Sequence, residues 1–318
     1  MTLHAWSSAR YVIPLPAGHR FPIAKYTLLR DRVVADGLIP VERLHEPERI
    51  AIDALTLVHT PRYVASVSDG TLDEDERRRI GFPWSPALVE RSLRAVGGTT
   101  EAAAAALDHG IAVNLAGGTH HAFPDHGEGF CVFNDVAVAI RSLQRKRRID
   151  RAAIIDLDVH QGNGTHAVFA SDPTVFTFSM HGRRNYPFHP AAPDAAPRAG
   201  ELHPYGRRIA GDLDIDLPDG TTDEPYLEAL AAALPRVLGD ARADLVVYLA
   251  GADPHEGDRL GRMRLSFAGL ERRDAMVIEA CRDVGIPVAI TIAGGYGRDI
   301  DDTVQVHVNT VRVAREFS

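Results

Sequence analysis

Three side chains that can bind a metal follow one apolar run of this sequence. Asp156, Asp158 and His160 stand at alternate positions after Ile154-Ile155, so on an extended strand all three point to the same side. Two carboxylates and an imidazole on one buried face are costly unless a cation lies among them. The alternative is a strand end neutralised by arginine or lysine, but the polar, glycine-rich segment 161–166 contains neither. We therefore predict a divalent metal site.

A catalytic zinc ion takes three protein ligands and keeps one position open for water. Asp253 is the predicted third ligand, because it follows the apolar run 245–249 in a glycine-rich turn. Taken alone, an aspartate in such a turn is more typical of a turn former or helix cap. Beside Asp158 and His160 it completes an Asp-His-Asp set.

Acid/base groups follow two other apolar runs. His120 and His121 come after Gly117-Gly118, and Tyr296 comes after Gly294-Gly295. One histidine could activate a water molecule while the other stabilises developing charge. The tyrosine could donate its phenol to a carbonyl oxygen that becomes anionic. A tyrosine that only packs the loop is the alternative.

The apolar runs themselves predict the fold. The runs are rich in β-branched residues and cover 111–115, 152–157, 175–180, 245–249 and 288–292. Helices are predicted over 26–36, 86–108, 223–238 and 266–284, and further short strands over 10–14 and 55–59. This alternation favours a parallel sheet with helices on both faces, which binds ligands at the carboxyl ends of its strands. We expect one three-layer α/β domain over residues 1–318, with a long surface loop around 183–213.

Composition narrows the class of protein. The net charge of −8 argues against a nucleic-acid surface and is compatible with a cationic small molecule or peptide as substrate. Cys131 and Cys281 are the two cysteines, too far apart in sequence to indicate a thiolate zinc site or a disulfide framework. No stretch is long and apolar enough for a membrane span or a signal peptide. We expect a cytoplasmic protein without membrane or nucleic-acid partners.

Five motifs resemble those of the histone deacetylase family and occur in the same order. They are Gly117-Gly118-Thr119-His120-His121-Ala122, Gly129-Phe130-Cys131-Val132-Phe133-Asn134-Asp135, Asp156-Leu157-Asp158-Val159-His160-Gln161-Gly162-Asn163-Gly164, Gly251-Ala252-Asp253-Pro254 with Gly257-Asp258-Arg259-Leu260-Gly261, and Gly294-Gly295-Tyr296. Gly18-His19-Arg20-Phe21-Pro22 resembles the N-terminal signature of a class IV-like bacterial branch. The resemblance implies the arginase/deacetylase-like α/β fold, with a mainly parallel sheet of about eight strands, and hydrolysis of an acylated amine.

The resemblance also implies roles for the site residues. It assigns Zn²⁺ to Asp158, His160 and Asp253, with Fe²⁺ as the alternative metal. Tyr296 supplies a hydroxyl to the transition state. His121 acts as general base and then acid, and His120, paired with Asp156, provides electrostatic stabilisation.

Two further groups of residues follow from the same resemblance. A structural K⁺ site is assigned to Asp156, Asp158, His160 and Ser179, with main-chain oxygens. The wall and mouth of a narrow acyl-lysine tunnel are assigned to Gly129, Phe130, Tyr186 and Leu260.

The sequence departs from the family pattern at two places. Asn163 stands where many members have an acid, so we expect it to orient His121 while raising the pKa of His121 less than a carboxylate would. Residues 81–84 lack the rim acid that holds a peptide backbone, which counts against peptide substrates. The segment between 189 and 211 resembles an insertion, which we expect either to cover the site or to contact a second subunit in a homo-oligomer.

The leading hypothesis is a zinc-dependent deacylase that acts on an acyl-lysine or an acetylpolyamine. A two-metal ureohydrolase of arginase type is one alternative, although the His-His and Gly-Gly-Tyr turns fit it poorly. A catalytically silent protein that binds an acylated ligand is another.

Overall fold

The computed structural model describes residues 3–188 and 206–318. Its strands, numbered β1 to β8 in chain order, are His4–Trp6, Leu44–His45, Ile111–Asn114, Ala152–Asp156, Val175–Gly182, Leu213–Leu217, Leu245–Ala250 and Val288–Ile292. They form one sheet in the order β2-β1-β3-β8-β7-β4-β5-β6, and each neighbouring pair is parallel. The predicted parallel sheet of about eight strands is confirmed.

Helices cover both faces of this sheet. Helices α1 to α10 are Lys25–Ala35, Ile52–Leu55, Pro61–Asp69, Glu74–Ile80, Pro86–His109, Asp135–Arg145, Asn163–Phe169, Asp223–Ala241, Phe267–Asp283 and Ile300–Glu316, and a 3₁₀ turn spans Val41–Arg43. On β4, Ala153 and Ile155 pack into the apolar core under α1, α8, α9 and α10, whereas Ala152 and Ile154 pack into the core under α2, α3, α5 and α6. Both faces of the strand are apolar because both are covered.

The long helices begin and end close to where the sequence predicts. The Ser85 side chain accepts a hydrogen bond from Leu88 N, Pro86 occupies the first turn of α5, and Gly110 ends it at a φ of +85°. In the same way Ser266 caps α9 through Gly269 N. These are the capping residues that satisfy the free N–H and C=O groups of helix ends.

Two predicted short strands are wrong. Residues 10–14 form no strand, and residues 55–59 form the end of α2 and the turn after it. In that turn the buried His59 ring contacts Phe123 O through Nδ1 and accepts a hydrogen bond from Asn134 N through Nε2. Short apolar runs do not distinguish strand from buried turn by their pattern.

The metal-site residues do not come together by alternation along one strand, as the sequence pattern predicts. Strand β4 ends at Asp156, so Asp158 and His160 lie in the bend beyond it and not on the strand itself. The polar segment 161–166 is partly helical, because α7 begins at Asn163. The bend that follows the strand, and not the alternation of side chains along a strand, brings these side chains together.

The segment predicted as a loop around 183–213 is partly described. Residues 189–205 lie outside the described residues. The flanks 183–188 and 206–212 contain no helix or strand, and β6, which the sequence pattern did not predict, begins at Leu213. Within the described ranges no helix is both long and apolar enough to cross a membrane.

The two-faced packing of β4 predicts where apolar truncation destabilises the chain. Ile155 is fully buried and Ile52 is 49% exposed. Ile155→Ala should lower the free energy of unfolding by about 2–5 kcal/mol, and Ile52→Ala by no more than about 0.5 kcal/mol. Urea unfolding followed by circular dichroism measures both. Equal losses in the two variants would contradict the assigned core.

Candidate active site

The turns that carry the predicted residues meet at the carboxyl edge of the central strands. They follow β3, β4, β7 and β8, which are consecutive in the order β3-β8-β7-β4. A cavity of about 870 Å³ opens there. Five of the predicted catalytic and metal-binding residues line it: His120, His121, Asp158, His160 and Tyr296. Asp253 lies fully buried beside them.

Asp158, His160 and Asp253 form the candidate metal centre. His160 Nδ1 lies 2.8 Å from Asp158 Oδ1 and 3.2 Å from Asp253 Oδ2, and one ligand atom from each of the three residues lies within 4.8 Å of the others. Burial and the negative charge of Asp158 raise the pKa of Asp253 to about 7. Apart from its ion-pair contact with His160, the buried Asp253 Oδ2 accepts no hydrogen bond within the described residues. The donor set therefore fits a divalent cation, which would supply the missing partner.

Main-chain N–H groups fix the other carboxylate oxygens. Asp158 Oδ2 accepts from Gly294 N at 2.7 Å, and Asp253 Oδ1 accepts from Val159 N at 2.9 Å. A Cβ atom at position 294 would stand 1.8 Å from Asp253 Oδ2. Glycine at this position is thus required by the close approach of the β8 turn to the carboxylates.

His120 is paired with an acid. Its Nδ1 lies 2.6 Å from Asp156 Oδ2, and Asp156 Oδ1 accepts from Asp158 N at 3.1 Å. Burial alone would lower the pKa of His120, but Asp156 and Asp158 outweigh burial and raise that pKa to about 9. These two acids therefore favour the protonated form of the His120 imidazole.

His121 is held by an amide. Its Nδ1 lies 2.7 Å from Asn163 Oδ1, while Asn163 Nδ2 donates to Glu128 Oε1 at 2.7 Å and to Arg207 O at 2.9 Å. Two acceptors on the Nδ2 side fix the orientation of the amide, so its oxygen faces the imidazole and His121 Nδ1 must carry the proton. His121 Nε2 is then left as an acceptor in the neutral ring.

Electrostatics favour that neutral ring. Burial lowers the pKa of His121 well below its ordinary value, and the positive charges of His120 and His160 lower it further. The pKa values of the two adjacent histidines are thus shifted in opposite directions. Groups with separated pKa values can act as base and as electrostatic stabiliser in one site.

Tyr296 is held as a phenol by its surroundings. Burial raises the pKa of Tyr296 well above its ordinary value, and Asp158 and Asp253 raise it further. Asp258 Oδ2 accepts a hydrogen bond from Tyr296 N at 2.6 Å. The buried Lys25 ammonium donates to Gly295 O at 3.4 Å and lies 5.6 Å from the centre of the Tyr296 ring. The ring is therefore positioned from both sides of its loop.

The predicted tunnel residues line the same cavity: Gly129, Phe130, Tyr186 and Leu260. The Tyr186 ring stands perpendicular to the His121 ring, with centres 4.9 Å apart. Phe130 has a φ of +66°, a conformation that a large side chain rarely adopts. Main-chain contacts of Phe130 N with Ile80 O at 2.8 Å help to hold it there. Such strain is typical of functional sites.

Ser179 lies beside Asp156 across the β4–β5 pair and is fully buried. Its hydroxyl pairs with His181 Nδ1 at 2.9 Å. Asp156 and Ser179, two of the four residues predicted for a monovalent cation, are thus neighbours on adjacent strands.

Sequence reasoning missed three supporting residues: Lys25, Glu128 and Asp258. Glu128 is fully buried, and its second oxygen accepts from Gly206 N at 3.2 Å. Glu128 directly precedes the Gly129-Phe130 motif, and Asp258 lies inside the motif at 257–261, so position relative to a motif was an available signal. Lys25 has no such signal, because its partners lie about 270 positions away.

Comparisons with known proteins place this geometry in context. Residues 19–311 match the histone deacetylase domain. An uncharacterized protein of Picosynechococcus is 45% identical over 306 residues, covering 96% of this chain and 96% of that protein. Histone deacetylase 2 of Arabidopsis thaliana is 32% identical over 298 residues, covering 90% of this chain and 73% of that protein. The crystal structure of an HDAC homolog from Aquifex aeolicus is similar with a TM-score of 0.80 at 26% identity, covering 100% of this chain and 84% of that one.

The donor set predicts one metal per chain. Metal-free protein should take up one equivalent of Zn²⁺, and Zn²⁺ at 100 times its Kd should raise the free energy of unfolding by about 2.7 kcal/mol. Asp253→Asn should abolish both effects, because it removes a negative charge and one ligand oxygen from the three-residue set. The exposed Asp240→Asn is the matched control. Metal analysis and thermal unfolding measure the outcome, and two equivalents per chain would contradict a single centre.

The hydrogen-bonded chain from His121 to Glu128 predicts the effect of exchanging amide and carboxylate. Glu128→Gln combined with Asn163→Asp preserves the total charge. The new amide at position 128 can then donate a hydrogen bond to the new carboxylate at position 163. It moves the negative charge next to His121, so the pKa of His121 should rise and the ring should stay protonated to higher pH. NMR titration of the histidines, with His121→Gln to assign the signal, measures the shift. An unchanged titration would contradict the arrangement.

Proposed function

The chain belongs to the histone deacetylase family, and from that premise we propose that it is a zinc-dependent deacylase. Its substrate would be the amide of an N-acylated amine, of the acyl-lysine or acetylpolyamine type. One observation carries the proposal. A single cavity is lined at once by two metal-ligand side chains, two histidines of opposite protonation preference and a phenol.

The metal would be held by Asp158, His160 and Asp253. One imidazole with two carboxylates is a ligand set that catalytic zinc accepts, whereas a non-haem iron site more often has two histidines and one carboxylate. Zn²⁺ is therefore proposed, with Fe²⁺ as the alternative. When bound, such an ion supplies Lewis-acid polarisation of a carbonyl and activation of water.

His121 is proposed as the general base. Its Nε2 can take a proton from the attacking water, because Nδ1 already donates to Asn163. The same nitrogen can then return the proton to the leaving amine. A base that is neutral at working pH gives this transfer its driving force.

His120 and Tyr296 are proposed to stabilise the charge that develops on the carbonyl oxygen. The His120 cation, maintained by Asp156, contributes a fixed positive charge beside the reacting centre. The Tyr296 phenol, kept protonated by burial, can donate a hydrogen bond to the oxygen. Preorganised donors of this kind act strongly in sites that exclude water.

The acyl-bearing arm of the substrate would pass between Phe130 and Tyr186, with Gly129 and Leu260 along the same passage. Aromatic walls suit the methylene chain of a lysine or polyamine and a neutral amide, which needs no charge partner. Burial of that chain also holds the amide in position for attack.

We also propose a structural K⁺ site at the end of β4 and β5, from Asp156, Asp158, His160 and Ser179 with main-chain oxygens. Two acids are buried there beside one another, and a monovalent cation would offset part of their repulsion. The assignment to a class IV-like branch stays a prediction from residues 18–22.

The described residues favour one metal over two. Within residues 3–188 and 206–318, Asp158, His160 and Asp253 form the one group of at least three His, Cys, Asp or Glu side chains spaced to hold an ion. A two-metal ureohydrolase needs additional bridging acids, so the arrangement speaks against it.

The proposal predicts release of free amine from a panel of acyl-lysine peptides and acetylated polyamines by the Zn²⁺-loaded chain. His121→Ala should lower kcat about 10²- to 10⁴-fold, and Tyr296→Phe about 10²- to 10³-fold. Both variants should retain the metal. The surface variant Tyr11→Phe is the matched control. Full turnover in Tyr296→Phe would refute its role, and tight binding without any turnover would favour an acyl-ligand binder.

A further inference from the structure

Five arginines line the outer part of the active-site cavity: Arg20, Arg78, Arg79, Arg259 and Arg262. Four are exposed, and Arg79 is half-buried. Among the described residues, the one acidic side chain that lines the cavity is Asp158, a proposed metal ligand buried at its floor. The chain as a whole has a net charge of −8. The described lining of the cavity mouth is therefore positive, whereas the protein as a whole is negative.

Main-chain contacts fix two of these arginines against the site. Arg259 Nε donates to Tyr296 O at 2.9 Å, and its Nη2 donates to Arg20 O at 3.5 Å. Arg79 O accepts from Gly129 N at 3.1 Å, so its backbone is joined to the tunnel wall. Three chain segments that are distant in sequence thus bring their arginines to one opening.

Among the described residues, the positive charge of four of these arginines, Arg20, Arg78, Arg259 and Arg262, is at most weakly compensated. In the part of the chain that the structure describes, neither Arg20 nor Arg259 pairs with a carboxylate. Arg78 pairs with Glu74 and Asp75 on its own helix, at 3.1 Å each, with all three side chains at least 70% exposed. Exposed pairs of this kind are weak, so the Arg78 guanidinium stays available to a ligand.

Arg262 is compensated in a similarly weak way. It lies 3.2 Å from Asp219, at 48% exposure, and that aspartate is shared with Arg184. One carboxylate between two guanidinium groups leaves net positive charge. A ring of this composition favours anionic oxygen atoms, which guanidinium groups bind in bidentate geometry.

We propose that the substrate carries a carboxylate at the end of its acyl-bearing arm that is remote from the acylated amine, and that the arginines bind this carboxylate at the mouth while the acylated end enters the tunnel. The inference rests on the proposed deacylase function and narrows its substrate. The carboxylate could belong to acidic residues that flank an acyl-lysine in a protein, or to a free N-acylated amino acid. Both present the same group at the same end of the acyl arm.

An acetylpolyamine fits this mouth poorly. Its remaining ammonium groups would lie outside the tunnel, next to the arginines, and like charges at short range are repulsive. The net charge of the protein alone would favour a cationic substrate, whereas the arginines at the opening favour an anionic one. Local potential decides steering at distances within about a Debye length.

The test compares substrates that differ only in charge, with the Zn²⁺-loaded full chain. Acetyl-lysine peptides of one length carry flanking glutamates, glutamines or lysines, and N-acetylputrescine represents the polyamines. The free amino acid Nε-acetyl-lysine is compared with its carboxamide to separate the two carboxylate sources. We expect kcat/KM for the acidic peptide to exceed that for the basic one about tenfold or more at low salt. The ratio should shrink as salt is raised.

Variants connect the preference to the arginines. Arg20→Gln and Arg78→Gln together should bring the acidic-to-basic ratio toward one, mainly through KM. Arg236→Gln, an exposed arginine on α8, is the matched control and should keep the wild-type ratio. Fluorescence anisotropy of the same peptides on the loaded protein gives the charge preference independently of turnover.

The outcomes separate the two proposals. Turnover with equal or greater activity on basic peptides or N-acetylputrescine would overturn the anionic-substrate inference and leave the deacylase function intact. Absence of turnover on every substrate would overturn the deacylase function, and anisotropy would then decide whether the mouth still prefers acidic ligands. Preference for the acidic peptide that survives loss of both arginines would also contradict the inference.

Discussion

The crowding of Asp158 and Asp253 around one imidazole is the constraint on which this site depends. Both carboxylates are buried beyond the ends of neighbouring strands, and within the described part of the chain one oxygen of Asp253 has His160 as its ion-pair partner and accepts no hydrogen bond. Such a cluster is electrostatically unfavourable without a cation, so the folded protein carries this cost at the metal site even before substrate binds. The turn after β8 and the bend after β4 approach these oxygens closely. At position 294 only glycine leaves room for that approach.

A second constraint acts through hydrogen bonds that decide where protons reside. His120 faces a carboxylate, and its adjacent neighbour His121 faces an amide. The negative charge that could have faced His121 lies one residue farther away, on Glu128, and reaches the imidazole only through Asn163. The pKa of His120 is therefore raised and that of His121 lowered, although their ring centres are only 4.1 Å apart. Burial without this asymmetric pairing would lower both pKa values.

The sequence predicts the parts of the molecule that rest on local patterns. Fully buried parallel strands such as Val288–Ile292 are continuous apolar runs, and α5 has explicit start and stop residues, so both are found close to their true bounds. The two-residue strand β2 and the alternating, half-exposed β6 lack such a signal. Asp158, His160 and Asp253 were predicted as a cluster because each follows a strand, although strand alternation was the wrong reason. Lys25 and the arginines of the mouth could not be predicted, because segments far apart in sequence bring them to the site.

Hydrolysis in ¹⁸O-labelled water tests whether one buried metal centre and His121 direct water to an amide carbonyl, as we propose. The measurement is mass spectrometry of the acid released from an acetyl-lysine substrate during a single turnover by metal-loaded protein. We expect one ¹⁸O atom in the released acetate, with no acetate formed after the metal is removed. Acetyl-lysine that remains bound and intact, or acetate formed equally well without metal, would contradict this proposal.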